Sequence, residues 1–514
     1  MEGDMGLAKV ASRAYLGIAA PPVSVEVDLA GGLPALSIVG LPEATVRESK
    51  DRVRAALRNC GFDFPPRRIT VNLAPADLPK SGGRFDLPIA LGVLAASGQL
   101  PSESLRGMEF IGELSLDGRL RAVEGSLSAA AAASAERVTL IVPRGNMEEV
   151  LLVRDASLIA AGHLMSVWKH LAGHEELPPV VRGPASSCQS PPANGDLAEV
   201  RGQPTARRAL EIAACGGHDM LMVGPPGTGK SMLAKRLPGL LPPLADGEAL
   251  DVALVTAARD GRFAAADWGR RPFRQPHHTA TISALVGGGS VPRPGEVSLA
   301  HRGVLFMDEL PEFPRGVLDA LRQPLEDREV TISRARGRLT FPADFQLVAA
   351  MNPCPCGYFG DSFEACRCTP DAIRRYQGRI SGPLMDRLDL RIDLVRPSAA
   401  ILVDDAGEET SHTVAQRVLE ARARQQRRGF LNARIPPEML VGLCQPTEAA
   451  LALVCTSAER FHLSARACHR VLRVARTIAD LAGRSGIEAG DISEAVSRRP
   501  HASRAGRPRS AALS

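Results

Sequence analysis

The sequence predicts an α/β fold made of two mixed α/β regions followed by a helical one. Three observations carry this. Between Asp219 and Leu237, "DMLMVGPPGTGKSMLAKRL" reads as a short apolar strand, a glycine-rich turn and a helix. "GVLFMDE" and "FQLVAAMNP" are continuous apolar runs of strand length, as expected for a parallel sheet covered on both faces. Near the N-terminus, "SVEVDLAGG" and "RRITVNLAP" alternate with the period of a half-buried strand.

In chain order, residues 1–174 form the first α/β domain. "EATVRESKDRVRAALRNCG" has a helical period and stops at Gly61. "FDLPIALGVLAASG" and "SLSAAAAASA" read as further helices, and "VTLIVP" as a buried strand. Residues 175–196 are rich in Pro, Ser and Gly without a hydrophobic period, and read as a linker. Residues 197–396 form the second α/β domain with its parallel sheet. Residues 397–500 turn helical, and "SARACHRVLRVARTIADLAG" is a strong amphipathic helix carrying many Arg. Residues 501–514 are a basic tail expected to be disordered.

A chain of 514 residues is long enough for two or three domains. With 45% hydrophobic and 23% charged residues its composition is that of a globular protein. A net charge of +5 is too mild to argue for nucleic acid by itself. No run approaches the roughly 18 apolar residues that mark a membrane span. The N-terminus lacks the basic region and apolar core of a signal peptide. A cytoplasmic location with reduced thiols is therefore expected, so the ten cysteines are not a disulfide framework. Cys60, Cys188, Cys215, Cys444, Cys455 and Cys468 are scattered and read as small core or surface residues.

The glycine-rich turn is the most specific chemical signal. Gly224, Pro225, Pro226, Gly227, Thr228, Gly229, Lys230 and Ser231, with Met232 after them, fit G-x-x-x-x-G-K-[ST] between a strand and a helix. Such a loop turns backbone N–H groups towards a phosphate at a helix N-terminus. Lys230 is then expected to reach the β and γ phosphates of ATP, and Ser231 to ligate Mg²⁺. Asp308 and Glu309 end an apolar strand, where ligands of open α/β sheets bind. Asp308 suits the Mg²⁺ shell and Glu309 the polarisation of an attacking water. Asn352 ends the next apolar run and suits a γ-phosphate sensor. Arg387 in "SGPLMDRLD" and Arg466 in "LSARA" are candidates for a finger into a neighbouring ATP site and for a second sensor. Spacing alone leaves both equally open as plain surface arginines.

"RPFRQPHHTATISALVGGGSVPRPGEVSLAHRGVLFMDELPEF" closely resembles the magnesium-chelatase-like AAA+ ATPases, specifically the YifB/ComM competence-protein family. "GLPALSIVGLPEATVRESKDRVRAAL", "RRITVNLAPADLPKSGGRFDLPIALG" and "DAIRRYQGRISGPLMDRLDL" extend the resemblance over nearly the whole chain. It implies a Lon-protease-like first domain, an AAA+ core and a helical lid, assembled as a homo-hexamer with ATP between subunits. It raises Arg387 and Arg466 to finger and second sensor. It also implies a helix-2 insertion from about Val252 to His301 and a hairpin from about Glu329 to Pro342. Arg334, Arg336 and Arg338 of that hairpin would face DNA in the ring pore, through sequence-independent phosphate contacts.

His277 and His278 lack a third ligand at metal spacing, so hydrogen bonding within the insertion is the expectation. Lon proteases use a Ser nucleophile and a Lys base. Those positions fall here near Arg84 or Phe85 and near Leu127, while the adjacent Lys80 and Ser81 make a poor dyad. No peptidase activity is expected, and the domain is expected to stack the ring or to bind a partner or DNA. The implied function is a DNA branch-migration or helicase motor in recombination during natural transformation. A chelatase motor for tetrapyrrole metal insertion and a protein remodeller are the alternatives. Cys354, Cys356, Cys366 and Cys368 offer the four thiolates of a structural Zn²⁺ site, with a redox pair as the rival.

Overall fold

Alternation of Val23, Val25, Val27 and Leu29 with polar neighbours puts one face of the strand Pro22–Ala30 in a core. The computed structural model describes residues 6–180, 195–289, 291–334, 337–396 and 408–499. Chain contacts divide it into two units: residues 1–188 with 246–269, and residues 189–245 with 270–514.

The first unit is built on seven strands: β1 Leu7–Arg13, β2 Pro22–Ala30, β3 Ala35–Val39, β4 Arg68–Ala74, β5 Met108–Phe110, β6 Thr139–Pro143 and β7 Leu158–Ala161. Their order is β3-β4-β2-β1-β5-β6-β7. β2 pairs antiparallel with β1 and β4, in a register that sets Val25 against Leu73. β1, β5, β6 and β7 run parallel. The helix Asp86–Ala96 is buried on all sides, which fits its uniformly apolar sequence.

In this unit Lys80 is buried, its Nζ donates to the Pro75 carbonyl, and burial pushes its pKa down. Arg84 is buried too. It donates to the carbonyls of Arg13 (3.2 Å) and Glu124, and burial pushes it down to about 10. Leu127 is fully buried.

The insertion drawn from Val252 divides. Its first part, from the helix Asp246–Asp260 to Gly269, belongs to the first unit. The cause is packing: Ala253, Ala257 and Phe263 share a core with Leu127, Ala129, Ala130 and Ala133. Tyr15 donates to the Ala257 carbonyl (3.2 Å), and Arg154 pairs with Asp246 (2.5 Å).

The second unit holds β8 Met220–Val223, β9 Phe273–Arg274, β10 Val304–Met307, β11 Glu329–Arg334, β12 Gly337–Pro342, β13 Gln346–Met351 and β14 Leu390–Asp393. Five of them form an all-parallel sheet in the order β9-β10-β13-β8-β14. β8, β10 and β13 are buried at every position, as their unbroken apolar sequences require. Helices Pro204–Gly216 and Lys230–Leu240 share its core with the C-terminal helices Ser411–Arg428, Glu448–Phe461, Ala465–Leu481 and Ala489–Ser497. Among the described residues no helix is long and apolar enough to cross a membrane. The tail 501–514 and most of the linker lie outside the described residues.

Candidate nucleotide site

β8 ends at Val223, and the chain reaches the helix Lys230–Leu240 through the glycine-rich loop. Gly227 and Gly229 adopt φ of 80° and 84°, a region that side-chain-bearing residues rarely enter. Gly224, Pro225 and Thr228 are buried, whereas Pro226, Gly227 and Met232 are exposed. The Thr228 hydroxyl donates to the Pro225 carbonyl (2.9 Å). Lys230 Nζ donates to the carbonyls of Gly224 (2.7 Å) and Pro225 (2.9 Å), and to Asn352 Oδ1 (3.1 Å). Burial pushes the Lys230 amine down, against the pull of Asp308 and Glu309.

The strand order brings the other polar groups to the same edge. β13 lies between β8 and β10, so Asn352, Asp308 and Glu309 leave the sheet beside the loop. The Ser231 hydroxyl donates to Asp308 Oδ2 at 2.7 Å. A hydroxyl and a carboxylate so close offer the hard oxygen donors that suit Mg²⁺. Glu309 is exposed and sits at φ 51°, a left-handed conformation costing a non-glycine residue on the order of 1–3 kcal/mol. Its N–H donates to Asp308 Oδ1 (3.0 Å). His278 Nδ1 lies 3.4 Å from Glu309 Oε2, while His277 Nδ1 bonds Thr279 Oγ1 (2.8 Å). Sequence reading missed the contact of His278 with Glu309. Nothing in the spacing signals it, because a fold-dependent loop brings the two together.

Arg387 and Arg466 meet at the opposite edge. Both line a cavity of about 390 Å³ together with Arg470, Arg473, Asp219 and Phe345. Asp219 precedes β8 and Phe345 precedes β13, so the cavity opens at the N-terminal ends of parallel strands. The phosphate loop leaves the C-terminal end of β8, one strand length away (about 13 Å for four residues). Arg387 donates to the Pro383 carbonyl (2.7 Å) and pairs with Glu326. Burial, then Arg322, Arg470 and Arg466, push its pKa down. Arg387 Nε and Arg470 Nη1 are buried without a hydrogen-bond acceptor among the described residues. Five arginines against Asp219, Glu326, Asp386 and Asp389 leave the lining net positive, which suits an anion. Sequence reading also missed Arg470 and Arg473, one and two helical turns beyond Arg466.

Burial and the neighbouring Asp389 push the Asp219 carboxyl up to about 7, although it accepts a hydrogen bond from the Leu347 N–H (2.7 Å). A raised carboxyl pKa lowers stability as pH rises from about 4 to about 7, because ionisation is harder in the folded state. Asn keeps the acceptor and cannot ionise. Asp219→Asn should therefore add on the order of 2 kcal/mol at pH 8 and almost nothing at pH 4, read from denaturant melts at both values.

β11 and β12 form an antiparallel hairpin in which Val330 pairs with Phe341 and Arg334 with Gly337. Val330, Ile332 and Phe341 are buried at its base, whereas Arg334 and Arg338 are exposed. Arg336 lies outside the described residues. The thiols of Cys354, Cys356, Cys366 and Cys368 all lie within 4.8 Å of one another and could hold a metal ion. Burial raises the Cys356 thiol, but the N–H groups of Tyr358 and Arg367 outweigh it and bring the pKa down to about 6.

Three family models match in succession: subunit ChlI of Mg-chelatase over residues 25–146, magnesium chelatase subunit ChlI over 196–401, and its C-terminal part over 408–499. The chain is 47% identical over 497 residues to YifB of Salmonella typhimurium, covering 96% of this chain and 97% of that protein. It is 48% identical over 499 residues to the competence protein ComM of Haemophilus influenzae, covering 96% and 98%. A weaker likeness, 25% over 215 residues, links 41% of the chain to 21% of the maternal DNA replication licensing factor mcm6 of Xenopus tropicalis. With relatives this similar along almost its entire length, the chain belongs to the YifB/ComM family of magnesium-chelatase-like AAA+ ATPases.

Proposed function

We propose that this protein is a Mg²⁺-dependent ATPase that assembles as a homo-hexameric ring in the cytoplasm and moves on DNA. The observation that carries the ring reading is the division of the machinery. Lys230, Ser231, Asp308, Glu309 and Asn352 gather at one edge of the sheet, and Arg387 and Arg466 at the other. Within one chain the two sets stand about a strand length apart, whereas two neighbours in a ring would bring them onto one γ-phosphate.

The loop from Gly224 to Met232 would cradle the phosphates with backbone N–H groups, and Lys230 would turn from its loop carbonyls to the β and γ phosphates. Ser231 and Asp308 would hold Mg²⁺, which neutralises phosphate charge when bound. Glu309 would polarise the attacking water. Asn352 would orient it and report the γ-phosphate. Arg387 and Arg466 of the neighbour would stabilise the charge that develops on transfer. The four-thiol cluster supports a structural Zn²⁺ as a further cofactor.

The DNA reading draws on the exposed arginine hairpin and on two relatives, one named for competence and one for DNA replication. Branch migration or helicase action in recombination of incoming DNA is the activity they support together. Arg334→Ala with Arg338→Ala should weaken DNA binding evenly across sequences. The slope of log affinity against log salt should become shallower by about 2, one unit per lost phosphate contact. The activity itself is tested by ATP-driven movement of a mobile four-way DNA junction. Branch movement that stops in Glu309→Gln supports the proposal. An ATPase that leaves every junction intact overturns it and turns attention to tetrapyrrole or protein substrates.

A further inference from the structure

Residues 353–369 follow β13 and Asn352 and contain no helix or strand. Loops of this length inside a compact unit usually carry function or need an external constraint. Four of these residues are the clustered cysteines. Cys354 Sγ lies 3.4 Å from Cys356 Sγ and 3.6 Å from Cys366 Sγ, and Cys356 Sγ lies 3.6 Å from Cys366 Sγ. A disulfide needs about 2.05 Å. A tetrahedron of sulfurs around zinc at about 2.3 Å has edges of roughly 3.8 Å. The spacing thus fits a shared ion and not a bond. Backbone N–H groups of Phe359 and Cys368 donate to Cys354 Sγ and Cys366 Sγ, orienting the thiols inward.

What the loop touches is the nucleotide site. A Cβ built on Gly357 would lie 2.7 Å from Cδ of Pro226 in the phosphate loop, so the backbone at Gly357 packs against the Pro226 ring with room only for glycine. Gly357 directly follows Cys356, and its φ is 90°. On the other side, Cys354 is two residues after Asn352. Cys368 leads into Thr369, which caps the helix Pro370–Gln377 by accepting from Ala372 N. The end of that helix returns to the start of the loop. Gln377 donates to the Pro353 carbonyl (2.9 Å), one residue beyond Asn352. Arg396, beyond β14, pairs with Asp361 and Glu364 and lies over the Tyr358 ring.

We infer that Zn²⁺ bound by Cys354, Cys356, Cys366 and Cys368 acts as a latch on the ATP site, fixing Pro226 of the phosphate loop and Asn352 relative to each other. The inference rests on the zinc reading of the cluster. Each pair of ligands flanks an anchor: Cys354 and Cys356 stand between Asn352 and Gly357, and Cys366 and Cys368 stand before the helix that closes back on Pro353, next to Asn352. Without the ion, the only covalent path between these anchors is a loop with little core of its own. Zinc occupancy then sets how well the site is formed, and zinc loss lowers ATP binding and turnover together.

The test uses the full chain in three forms: as purified, stripped of metal by a thiol-displacing mercurial and chelator, and stripped then reloaded with Zn²⁺ or Co²⁺. Metal content, cobalt–thiolate absorption, affinity for a fluorescent ATP analogue and ATP turnover are measured on each. One zinc per chain, tetrahedral cobalt–thiolate bands, and a roughly 10–100-fold loss of turnover on stripping that reloading restores are expected, since misplacements near 1 Å cost that much. Gly357→Ala keeps all four thiols but forces the loop off Pro226. It should keep the cobalt bands and still lose affinity for the analogue, and it carries the test should Cys366→Ser with Cys368→Ser fail to fold. A chain without zinc or cobalt–thiolate bands removes the zinc reading itself. Zinc that can be removed, or uncoupled by Gly357→Ala, without change in analogue affinity or turnover leaves the zinc reading standing and overturns the latch.

Discussion

Arg387→Ala should lower ATP turnover by about 10³-fold or more while leaving ATP binding by the same chain nearly unchanged. The reason is where the side chain sits. Arg387 lines the basic cavity at the N-terminal ends of the strands, paired with Glu326 and crowded by Arg466 and Arg470. Its own phosphate loop lies a strand length away, so its loss cannot disturb that loop directly. A guanidinium held near like charges, with Nε lacking an acceptor, is open to an anion, and under the proposed ring that anion is the ATP of a neighbouring chain. Mixing separates this account from a structural one. Arg387→Ala chains bind ATP but lack the finger, and Lys230→Ala chains keep the finger but lose the phosphate contact. Mixed rings should regain part of the turnover that neither variant has alone. Mixing without recovery, or an Arg387→Ala chain that hydrolyses ATP normally, contradicts action between chains.

Glu309→Gln should lose about 10²–10⁴-fold in turnover while keeping ATP and Mg²⁺ binding, as expected for a general base replaced by its neutral isostere. Glu309 is exposed beside the loop, while Asp308 holds the Ser231 hydroxyl, so the two carboxylates have different partners. Asp308→Asn should therefore act chiefly on the Mg²⁺ concentration needed for half-maximal activity. A magnesium titration of both variants distinguishes the roles: a lowered plateau with unchanged midpoint for Glu309→Gln, and a shifted midpoint for Asp308→Asn. The left-handed backbone at Glu309 fits a group held in place for a task, and the His278 contact at 3.4 Å supplies part of the hold.

The phosphate loop and its flanking strand and helix were legible because their information is local: a glycine pattern, an apolar run and a helical period within twenty residues. The same holds for β2, β4, β6 and the helices Asp86–Ala96 and Ser126–Glu136. β1 and β7 went unread because "LAKVASR" interrupts its alternation with Arg13 and "LIAA" is too short for a period. Strand order cannot be read locally, so the placing of β13 between β8 and β10 emerged only with tertiary pairing. The helix Asp246–Asp260 looked like part of the second unit because it lies between that unit's elements in sequence. Its alanines decide otherwise, by fitting against the small side chains of Ser126–Glu136. Arg387 and Arg466 were ambiguous for the same reason. A lone arginine on a helix is usually a solvated one, and only the fold collects these two with Arg470 and Arg473 around one cavity.

The most direct test of the central claim is the ATP hydrolysis rate of the full chain without DNA and with single-stranded, duplex and branched DNA, using Glu309→Gln as the control. A DNA motor predicts strong stimulation, greatest with branched DNA, weakened in Arg334→Ala with Arg338→Ala, and absent in Glu309→Gln. A rate abolished in Glu309→Gln yet indifferent to every DNA would leave the nucleotide site standing and contradict the assignment to DNA.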